Sequence, residues 1–250
     1  GTMSTLFYLG THMPNWLWTQ PEFPLFVSRN TLRKRVSRFP AAVVSRWAMD
    51  SGGFSELHAH GRWRMPFAEY ADFVLRCQDE IGRMDFAAPQ DWMCEDSSLA
   101  ATGKTVEEHQ ERTVQNFLDL RPLLGSLVIP VLQGNTVGSY LRCADLYASA
   151  GVDLARESRV GLGSVCRRQS STEIVELIES LPPLPLHGFG VKTTGLQLLR
   201  PGTLASADSM AWSFCGRRAA PLVGCKHKNC ANCFEYARRW RERLITKTKG

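Results

Sequence analysis

The amino-acid sequence predicts an α/β fold: a (β/α)8 TIM-like barrel followed by a C-terminal zinc-binding element and a basic helix. Two observations predict the barrel. Short apolar runs of strand length alternate with amphipathic segments of helical period, which is typical of a parallel sheet with crossover helices. The chain has 250 residues, and a barrel of eight such units needs about 250. We expect the barrel to cover residues 3–214 and the C-terminal element to cover residues 215–250.

The apolar runs place the strands in order. The first, at residues 5–9, precedes a segment at about 12–40 that is rich in Pro, Trp and basic residues. We interpret that segment as a long loop or insertion in the barrel domain. The second strand ends at Asp50. Further strands are predicted at residues 84–88, 127–132, 159–163, 186–191 and 204–207, with a last one at 220–223.

Helical spacing of apolar residues fills the gaps between these strands. Thr105 and Glu108 have the spacing of a capping box, which marks a helix start. The predicted helices cover residues 70–81, 105–120, 137–150 and 170–181. Active sites of such barrels lie where the strands end. Polar residues follow the predicted strands at those ends, namely Asp50, Asp91, Gln133, the turn at 161–164, and Asp208.

The turn at residues 50–54 carries the strongest local signal. An apolar run ends there in the sequence Asp-Ser-Gly-Gly-Phe, which predicts a buried strand that enters a tight turn and leaves a carboxylate at its exit. Glycines have no Cβ, so a planar ligand can approach their backbone closely. Asp208 follows a second apolar run in a similar setting. Two carboxylates that meet in space would supply acid–base and nucleophilic chemistry.

The charge distribution favours a polyanionic partner. The net charge is +6 and the isoelectric point is about 9.0. Residues 29–46 hold six basic residues and no acidic one, and residues 234–249 hold six basic residues against Glu235 and Glu242. Each segment alone is equally typical of a solvated surface. Two such segments, with tryptophans nearby in sequence, favour nucleic acid.

The sequence indicates no membrane partner. No apolar run reaches the roughly 18 residues that a membrane span needs. The first residues lack a basic region followed by an apolar block, so no secretory signal is visible. We therefore expect a cytoplasmic location.

Four residues near the end of the chain have metal-ligand spacing. They follow the pattern Cys-x-His-x2-Cys-x2-Cys, which suits tetrahedral Zn²⁺, and four protein ligands leave no open position for catalysis. The expected zinc would therefore be structural, and free thiols are the alternative. The predicted ligands are Cys225, His227, Cys230 and Cys233.

These residues together resemble the tRNA-guanine transglycosylase family. The shared elements appear in the same order over about residues 49–243, and the Asp-Ser-Gly-Gly-Phe sequence is the most specific of them. The chain is shorter than the tRNA enzymes, has Ser55 where they usually have Gln, and spaces its cysteines differently. Residues 207–212 look more like the DNA-modifying branch, found in phages and bacterial genomic islands. The other shared elements are Asp91, Gln133-Gly134, Gly161-Leu162-Gly163, residues 187–191, and Asp208.

The resemblance implies roles for individual residues. It implies that Asp208 is the nucleophile and that Asp50 is the general acid and base. For the metal, no histidine follows Cys233 where the tRNA enzymes have one, so His227 or Cys215 would complete the set, and we favour His227. The resemblance and the turn chemistry together give the expected substrate-binding residues, namely Ser51, Gly52, Gly53, Asp91, Gln133, Gly161, Leu162 and Gly163.

The implied activity is the exchange of guanine in DNA for a 7-deazaguanine, such as 7-cyano-7-deazaguanine, through a covalent Asp–sugar intermediate. DNA and the free base would be the partners. Three alternatives remain: a tRNA-guanine transglycosylase, a non-catalytic zinc-bearing nucleic-acid-binding barrel, and a barrel glycosidase or nucleosidase that hydrolyses without exchanging.

Each site residue also has a structural interpretation. Asp50 and Asp208 could cap the segments that follow them, and Asp91 could be an ordinary surface carboxylate. Gln133 could make a structural hydrogen bond at the end of its buried strand. His187 is interpreted as a packed histidine rather than a catalytic base.

Overall fold

The computed structural model describes residues 5–165, 171–191 and 202–248. It confirms the predicted α/β TIM-like architecture, because eight parallel strands form one sheet in the order β4-β3-β2-β1-β8-β7-β6-β5. The sheet curls until Ala87 of β4 forms a parallel bridge with Val128, three residues before β5. The strands are β1 (Leu6–Thr11), β2 (Leu25–Ser28), β3 (Trp47–Asp50), β4 (Met84–Ala87), β5 (Val131–Leu132), β6 (Val160–Leu162), β7 (Leu186–Gly188) and β8 (Ser206–Ser209).

Helices of the described segments connect and cover these strands. The predicted capping box is present, because Thr105 accepts a hydrogen bond from the backbone of Glu108 and the Glu108 side chain accepts one from the backbone of Thr105. The predicted start of another helix at residue 170 lies outside the described residues. The helices are α1 (Trp16–Thr19), α2 (Arg29–Leu32), α3 (Gly53–His60), α4 (Phe67–Glu80), α5 (Asp96–Thr102), α6 (Val106–Leu124), α7 (Val137–Ser149), α8 (Ser171–Ser180), α9 (Ala211–Arg218) and α10 (Phe234–Thr248).

The core has two layers. A large outer layer packs the strands against the helices. A small inner layer fills the barrel with Tyr8, Phe26, Ala48, Phe86 and Ile129, one residue from each of five neighbouring chain segments. Alternate residues of a strand point to opposite faces, so each short strand contributes to both layers. The inner layer therefore fills the barrel interior below the carboxyl ends of the strands.

The predicted insertion at about 12–40 is wrong, because this segment contains the barrel strand β2. Phe26 of β2 pairs with Gly10 of β1 on one side and with Ala48 of β3 on the other. The apolar run is only three residues long and lies between Pro24 and Ser28, so its pattern was too short to stand out. Its burial on both faces depends on the neighbouring strands, which are distant in sequence.

Two other strand predictions are corrected. The run that ends at Asp50 is a strand only from Trp47, because the backbone N–H groups of Val43 and Val44 both donate to the carbonyl of Leu17 instead of to a sheet. The stretch 220–223 is not a strand, and Val223 is fully exposed. None of the described helices is long and apolar enough to cross a membrane.

The C-terminal helix packs directly on the barrel. Trp240 of α10 contacts Phe7 of β1, with ring centroids 6.1 Å apart. Phe234 at the start of α10 stacks on Phe23 at 5.4 Å and meets Trp16 edge-on at 5.0 Å. The aromatic residues of the helix therefore face the barrel core.

Candidate active site

The carboxyl ends of the strands surround a cavity of about 240 Å³. This is the end of the barrel at which such folds place their sites. The cavity wall includes polar residues from both halves of the sheet, because every parallel strand ends on the same side. Five of the predicted catalytic and substrate-binding residues line it together, namely Asp50, Asp91, Gln133, Gly163 and Asp208.

Residues 51–53, just after Asp50, pack behind the cavity wall and do not line the cavity themselves. Ser51 is fully buried, and its hydroxyl donates to Asp91 Oδ1 at 3.3 Å. Gly52 has a φ of 81°, and a Cβ there would lie 2.5 Å from the Asn30 side chain. A Cβ on Gly53 would lie 2.6 Å from Met93. The space beside these glycines is thus filled by protein atoms.

The residues at the end of β6 and in the turn after it have different neighbours. Leu162 belongs to the outer apolar core. A Cβ on Gly161 would lie 2.3 Å from the ring of Phe189, and one on Gly163 would lie 2.2 Å from Gln133 Nε2. Of these three, Gly163 reaches the cavity. Its missing side chain is what lets the Gln133 amide lie against the turn.

Asp208 is held by two hydrogen bonds. His187 Nε2 lies 2.8 Å from its Oδ2, and the backbone N–H of Gly190 donates to its Oδ1 at 3.1 Å. A carboxylate has about four acceptor positions, so two remain for other contacts. The side chain is nearly buried yet lines the cavity. It is therefore oriented by the protein and open to a bound molecule.

A chain of hydrogen bonds through the barrel interior holds the ring of His187. Arg159 Nε donates to Ser206 Oγ at 3.1 Å, and Ser206 Oγ lies 2.7 Å from His187 Nδ1. A carboxylate oxygen accepts hydrogen bonds, so the Nε2 side of the ring is the donor to Asp208. The fully buried His187 thus presents an N–H to this carboxylate.

A second network fixes the side chains of Asp91 and Gln133. Gln133 Nε2 donates to Asp91 Oδ2 at 2.8 Å, and Ser164 Oγ donates to Gln133 Oε1 at 2.6 Å. The backbone N–H of Cys94 in turn donates to Ser164 Oγ at 3.0 Å. The amide of Gln133 is thereby held in one orientation, with its N–H2 group beside the carboxylate.

The carboxyl group of Asp50 is set up to hold a proton near neutral pH. Burial raises the pKa of Asp50 to about 7, and the negative charges of Asp91 and Asp208 add to the shift. The backbone N–H groups of Gly52 and Ser51 act in the opposite direction. At pH 7 about half of this group is therefore protonated, and it can give or take a proton.

Asp91 keeps its proton less strongly. Burial raises the pKa of Asp91 to about 6, while the hydrogen bonds from Gln133, from its own backbone and from Ser51 oppose the shift. At neutral pH Asp91 is mostly ionised and can accept hydrogen bonds. The cavity thus holds two neighbouring carboxyl groups whose proton affinities differ.

The sequence named Ser164 only as the end of the turn at 161–164, and it did not indicate the contact of His187 with Asp208. Ser164 lines the cavity in a left-handed backbone conformation, with a φ of 61°. Phe26 and Phe189 add two aromatic walls. For Ser164 a signal existed, since it directly follows the Gly-Leu-Gly turn. The contact between His187 and Asp208 joins two strands 21 residues apart, and no local pattern reports it.

The predicted metal ligands lie together. One ligand atom from each of Cys225, His227, Cys230 and Cys233 lies within 4.8 Å of the others. The backbone N–H of Leu222 donates to Cys230 Sγ at 3.4 Å, as is common around metal-bound thiolates. The set of three thiols and one imidazole suits a tetrahedral metal such as zinc. Cys215, the other candidate ligand, is exposed on α9 and lies outside this group.

The two basic segments differ in how their charges are paired. In α10, Arg238 bonds to Glu235 and Glu242, and Arg239 bonds to Glu235. In the loop at residues 33–38, here called the basic loop, Arg33, Lys34 and Arg35 form no ion pair with any described residue. The charge of the basic loop is therefore available to an external partner.

Comparison with known families identifies a matching family model. The model described as "DpdA: DeoxyPurine in DNA protein A" matches residues 3–250 of this chain. No curated protein matches the chain.

Proposed function

The chain belongs to the DpdA family, the 7-deazaguanine DNA transglycosylase branch of the tRNA-guanine transglycosylase superfamily, and we propose that it exchanges guanine in DNA for a free 7-deazaguanine base. The observation that carries this proposal is the placement of Asp50 and Asp208 on one cavity, with different partners. Base exchange at a sugar carbon needs a nucleophile that is ionised and an acid that is protonated at the same pH. A pKa of about 7 supports Asp50 as the acid, and the hydrogen bonds from His187 and Gly190 support Asp208 as the nucleophile.

Asp208 is the proposed nucleophile. Its carboxylate attacks C1′ of the deoxyribose, the bond from C1′ to guanine N9 breaks with its electron pair going to the base, and a covalent sugar ester forms. The hydrogen bonds from His187 and Gly190 orient the carboxylate before attack. The target nucleotide must leave the base stack first, because its C1′ is inaccessible inside a duplex.

Asp50 is the proposed acid and base. It gives its proton to the departing guanine and later takes the proton from N9 of the incoming base. That nitrogen then attacks C1′ and releases Asp208. One carboxyl group thus returns to its starting state after each exchange, and a pKa of about 7 suits both directions of transfer.

The Asp91 side of the cavity is proposed to recognise the base. Guanine and its 7-deaza analogues offer N–H donors at N1 and the 2-amino group, and an acceptor at O6. The ionised Asp91 accepts from the donor edge, and the N–H2 group of Gln133 lies beside it to meet O6. An adenine would leave these buried polar groups unpaired, which discriminates strongly against it.

The four clustered ligands are proposed to hold a structural Zn²⁺. With four protein ligands the ion would keep no open position for substrate, and it would tie residues 225–233 to the start of α10. We expect metal analysis to find one zinc per chain. A folded chain free of metal would contradict the assignment.

Labelled 7-cyano-7-deazaguanine tests the function. We expect wild-type protein to transfer label into DNA and not into tRNA, and Asp208→Asn to reduce transfer by more than about 1000-fold while DNA binding persists. Asp145→Asn, which changes an exposed carboxylate on α7, is the matched control and should retain full activity. Label in tRNA instead would favour the tRNA enzyme, and unchanged transfer by Asp208→Asn would remove Asp208 from its role.

A further inference from the structure

A second cavity, of about 320 Å³, adjoins the active site. His12 belongs to the walls of both cavities. The other walls of the second cavity include Trp18, Thr31, Lys34 and Arg35. Its volume lies at the lower end of the range of about 300–1000 Å³ typical of small-molecule sites. It is large enough for one planar group with its neighbouring phosphate.

The barrel topology places this cavity at the catalytic end. His12 and Trp18 follow β1, and the basic loop follows β2 and α2. In the sheet, β1 lies between β2 and β8, and β8 carries Asp208. A strand of nucleic acid that enters the active site beside β8 and β1 would next meet the second cavity.

Side chains of α4 hold the backbone of the basic loop in place, while the side chains of the loop remain exposed. Arg76 Nη2 donates to the carbonyl of Ser37 at 2.8 Å, and the backbone N–H of Phe39 donates to Glu80 Oε1 at 2.8 Å. The side chains of Lys34 and Arg35 are exposed and have no carboxylate partner among the described residues. Their positive charge is therefore presented in a fixed place at the cavity.

The cavity also contains an aromatic face. The guanidinium of Arg35 lies 5.6 Å from the centre of the Trp18 ring. Trp18 itself is half-buried, with Phe39 packed against it. Partial burial lowers the pKa of His12, and the charge of a further basic residue nearby, Arg217, lowers it more. Aromatic faces beside unpaired cations are the combination that binds single-stranded nucleic acid, where bases stack and phosphates pair with cations.

We propose that this second cavity binds the nucleotide next to the one being exchanged, with its base on Trp18 and its phosphate on Lys34 and Arg35. This inference rests on the proposed function for the identity of the strand. It adds a contact that the base-exchange chemistry does not require, and so a source of affinity for the polymer. His12, in the wall between the cavities, separates the flipped nucleotide from its neighbour.

Three variants and one control test the site. Lys34→Ala/Arg35→Ala removes the proposed phosphate contacts, Trp18→Ala removes the stacking face, and Trp18→Phe retains an aromatic ring. Arg156→Ala is the control, because this exposed arginine precedes β6 and lies at the opposite end of the barrel. Binding of a fluorescein-labelled oligothymidylate of twelve nucleotides is measured by fluorescence anisotropy over a range of salt concentrations. This probe has no guanine, so its binding does not depend on base exchange.

We expect the double variant to weaken oligothymidylate binding about tenfold and to lower the slope of log affinity against log salt by about 1.4, at roughly 0.7 per phosphate contact on a single strand. Trp18→Ala should also weaken binding about tenfold, but with an unchanged salt slope, because stacking is not ionic. Trp18→Phe should recover most of the loss, and Arg156→Ala should bind as wild type does.

In the exchange reaction the same variants should raise KM for DNA and leave both kcat and KM for the free base unchanged. Unchanged binding and unchanged KM for DNA in the double variant would overturn the proposal, as would wild-type protein that fails to bind oligothymidylate. Binding that follows the expected pattern, in a protein that exchanges no base in DNA, would support the site and refute the proposed function.

Discussion

The carboxyl groups on the two sides of the candidate active-site cavity have different surroundings. On the β7–β8 side, Asp208 receives hydrogen bonds from His187 and from the backbone of Gly190. On the β3–β4 side, burial raises the pKa of Asp50 to about 7 and that of Asp91 to about 6. Asp208 receives one side-chain and one backbone hydrogen bond, whereas at Asp50 burial and the charges of two other carboxylates outweigh two backbone donors. The same residue type is thereby suited to two roles, which its environment assigns.

This difference answers a requirement of base exchange. Two adjacent carboxyl groups in equal surroundings would share protons, and neither would have a defined role. Here His187 and the Gly190 backbone donate to Asp208, whereas burial and the negative charges of Asp91 and Asp208 favour the neutral form of Asp50. The predictions below test this asymmetry, from the largest expected effect to the smallest.

The largest effect concerns the proton carried by Asp50. Asp50→Asn keeps the shape of the side chain but cannot transfer a proton, so we expect exchange to fall by about 10²–10⁴-fold with DNA binding retained. The measurement is the rate of label transfer from 7-cyano-7-deazaguanine, with Asp72→Asn on the exposed side of α4 as control. If Asp50→Asn keeps activity within tenfold while Asp91→Asn loses it, the proton carrier is Asp91 and the assignment of the two carboxyl groups must be reversed.

The next effect concerns the donor that faces Asp208. His187→Ala removes a hydrogen bond to a charged group, which contributes about 1.5–3 kcal/mol, so we expect kcat to fall by roughly 10–100-fold with little change in KM. His187→Gln offers an amide N–H to the same carboxylate and should restore part of the rate. Equal losses in both variants, accompanied by a lower unfolding temperature, would mean that His187 only packs the barrel interior.

A smaller effect concerns the pH range of activity. In the proposed reaction Asp91 is ionised when it binds the base and Asp50 is protonated when guanine leaves, so kcat/KM should fall below about pH 6 and above about pH 7. Ser51→Ala removes a hydrogen bond that lowers the pKa of Asp91. We therefore expect this variant to move the acid limb to higher pH and to leave the alkaline limb in place. A shift of the alkaline limb alone would contradict this account.

Much of the fold was predictable because its signals are local. The alternation of apolar runs and helical periods, and the Thr105 capping box, are read over a few residues each. β2 was missed because its burial is decided by β1 and β3, not by its own three apolar residues. The hydrogen bonds that link Arg159, Ser206 and His187 also could not be predicted locally. Arg159 directly precedes β6, His187 lies in β7 and Ser206 lies in β8, so only the fold brings them together.

Charge alone does not distinguish the two basic segments of the sequence. Residues 29–46 and residues 234–249 each hold six basic residues. In α10, however, Glu235 and Glu242 lie three or four residues from their arginine partners and pair with them along the helix. The helical spacing was visible in the sequence and would have identified this pairing. The open charge of the basic loop depends on where the fold places it, which the sequence did not show.

The smallest expected effect is on thermal stability, which should differ between variants on the two sides of the cavity. Folding raises the pKa of Asp50 from the usual value near 3.9 to about 7, so its contribution to stability is present below about pH 4 and is lost as the pH rises through about 7. Asp50→Asn has no such loss, and we expect it to unfold about 2–6 °C above wild type at pH 8 but near wild type at pH 4.5.

Asp208→Asn should change stability in the opposite direction. An amide in place of the carboxylate loses the charge-assisted hydrogen bond and can turn its N–H2 group toward the His187 N–H. We therefore expect this variant to unfold below wild type at pH 8, measured by thermal denaturation beside Asp50→Asn and Asp72→Asn. A destabilised Asp50→Asn at pH 8 would show that Asp50 is held by its backbone donors more than it is opposed by its neighbours. The two sides of the cavity would then be alike, and the choice between nucleophile and acid would have to come from the bound substrate.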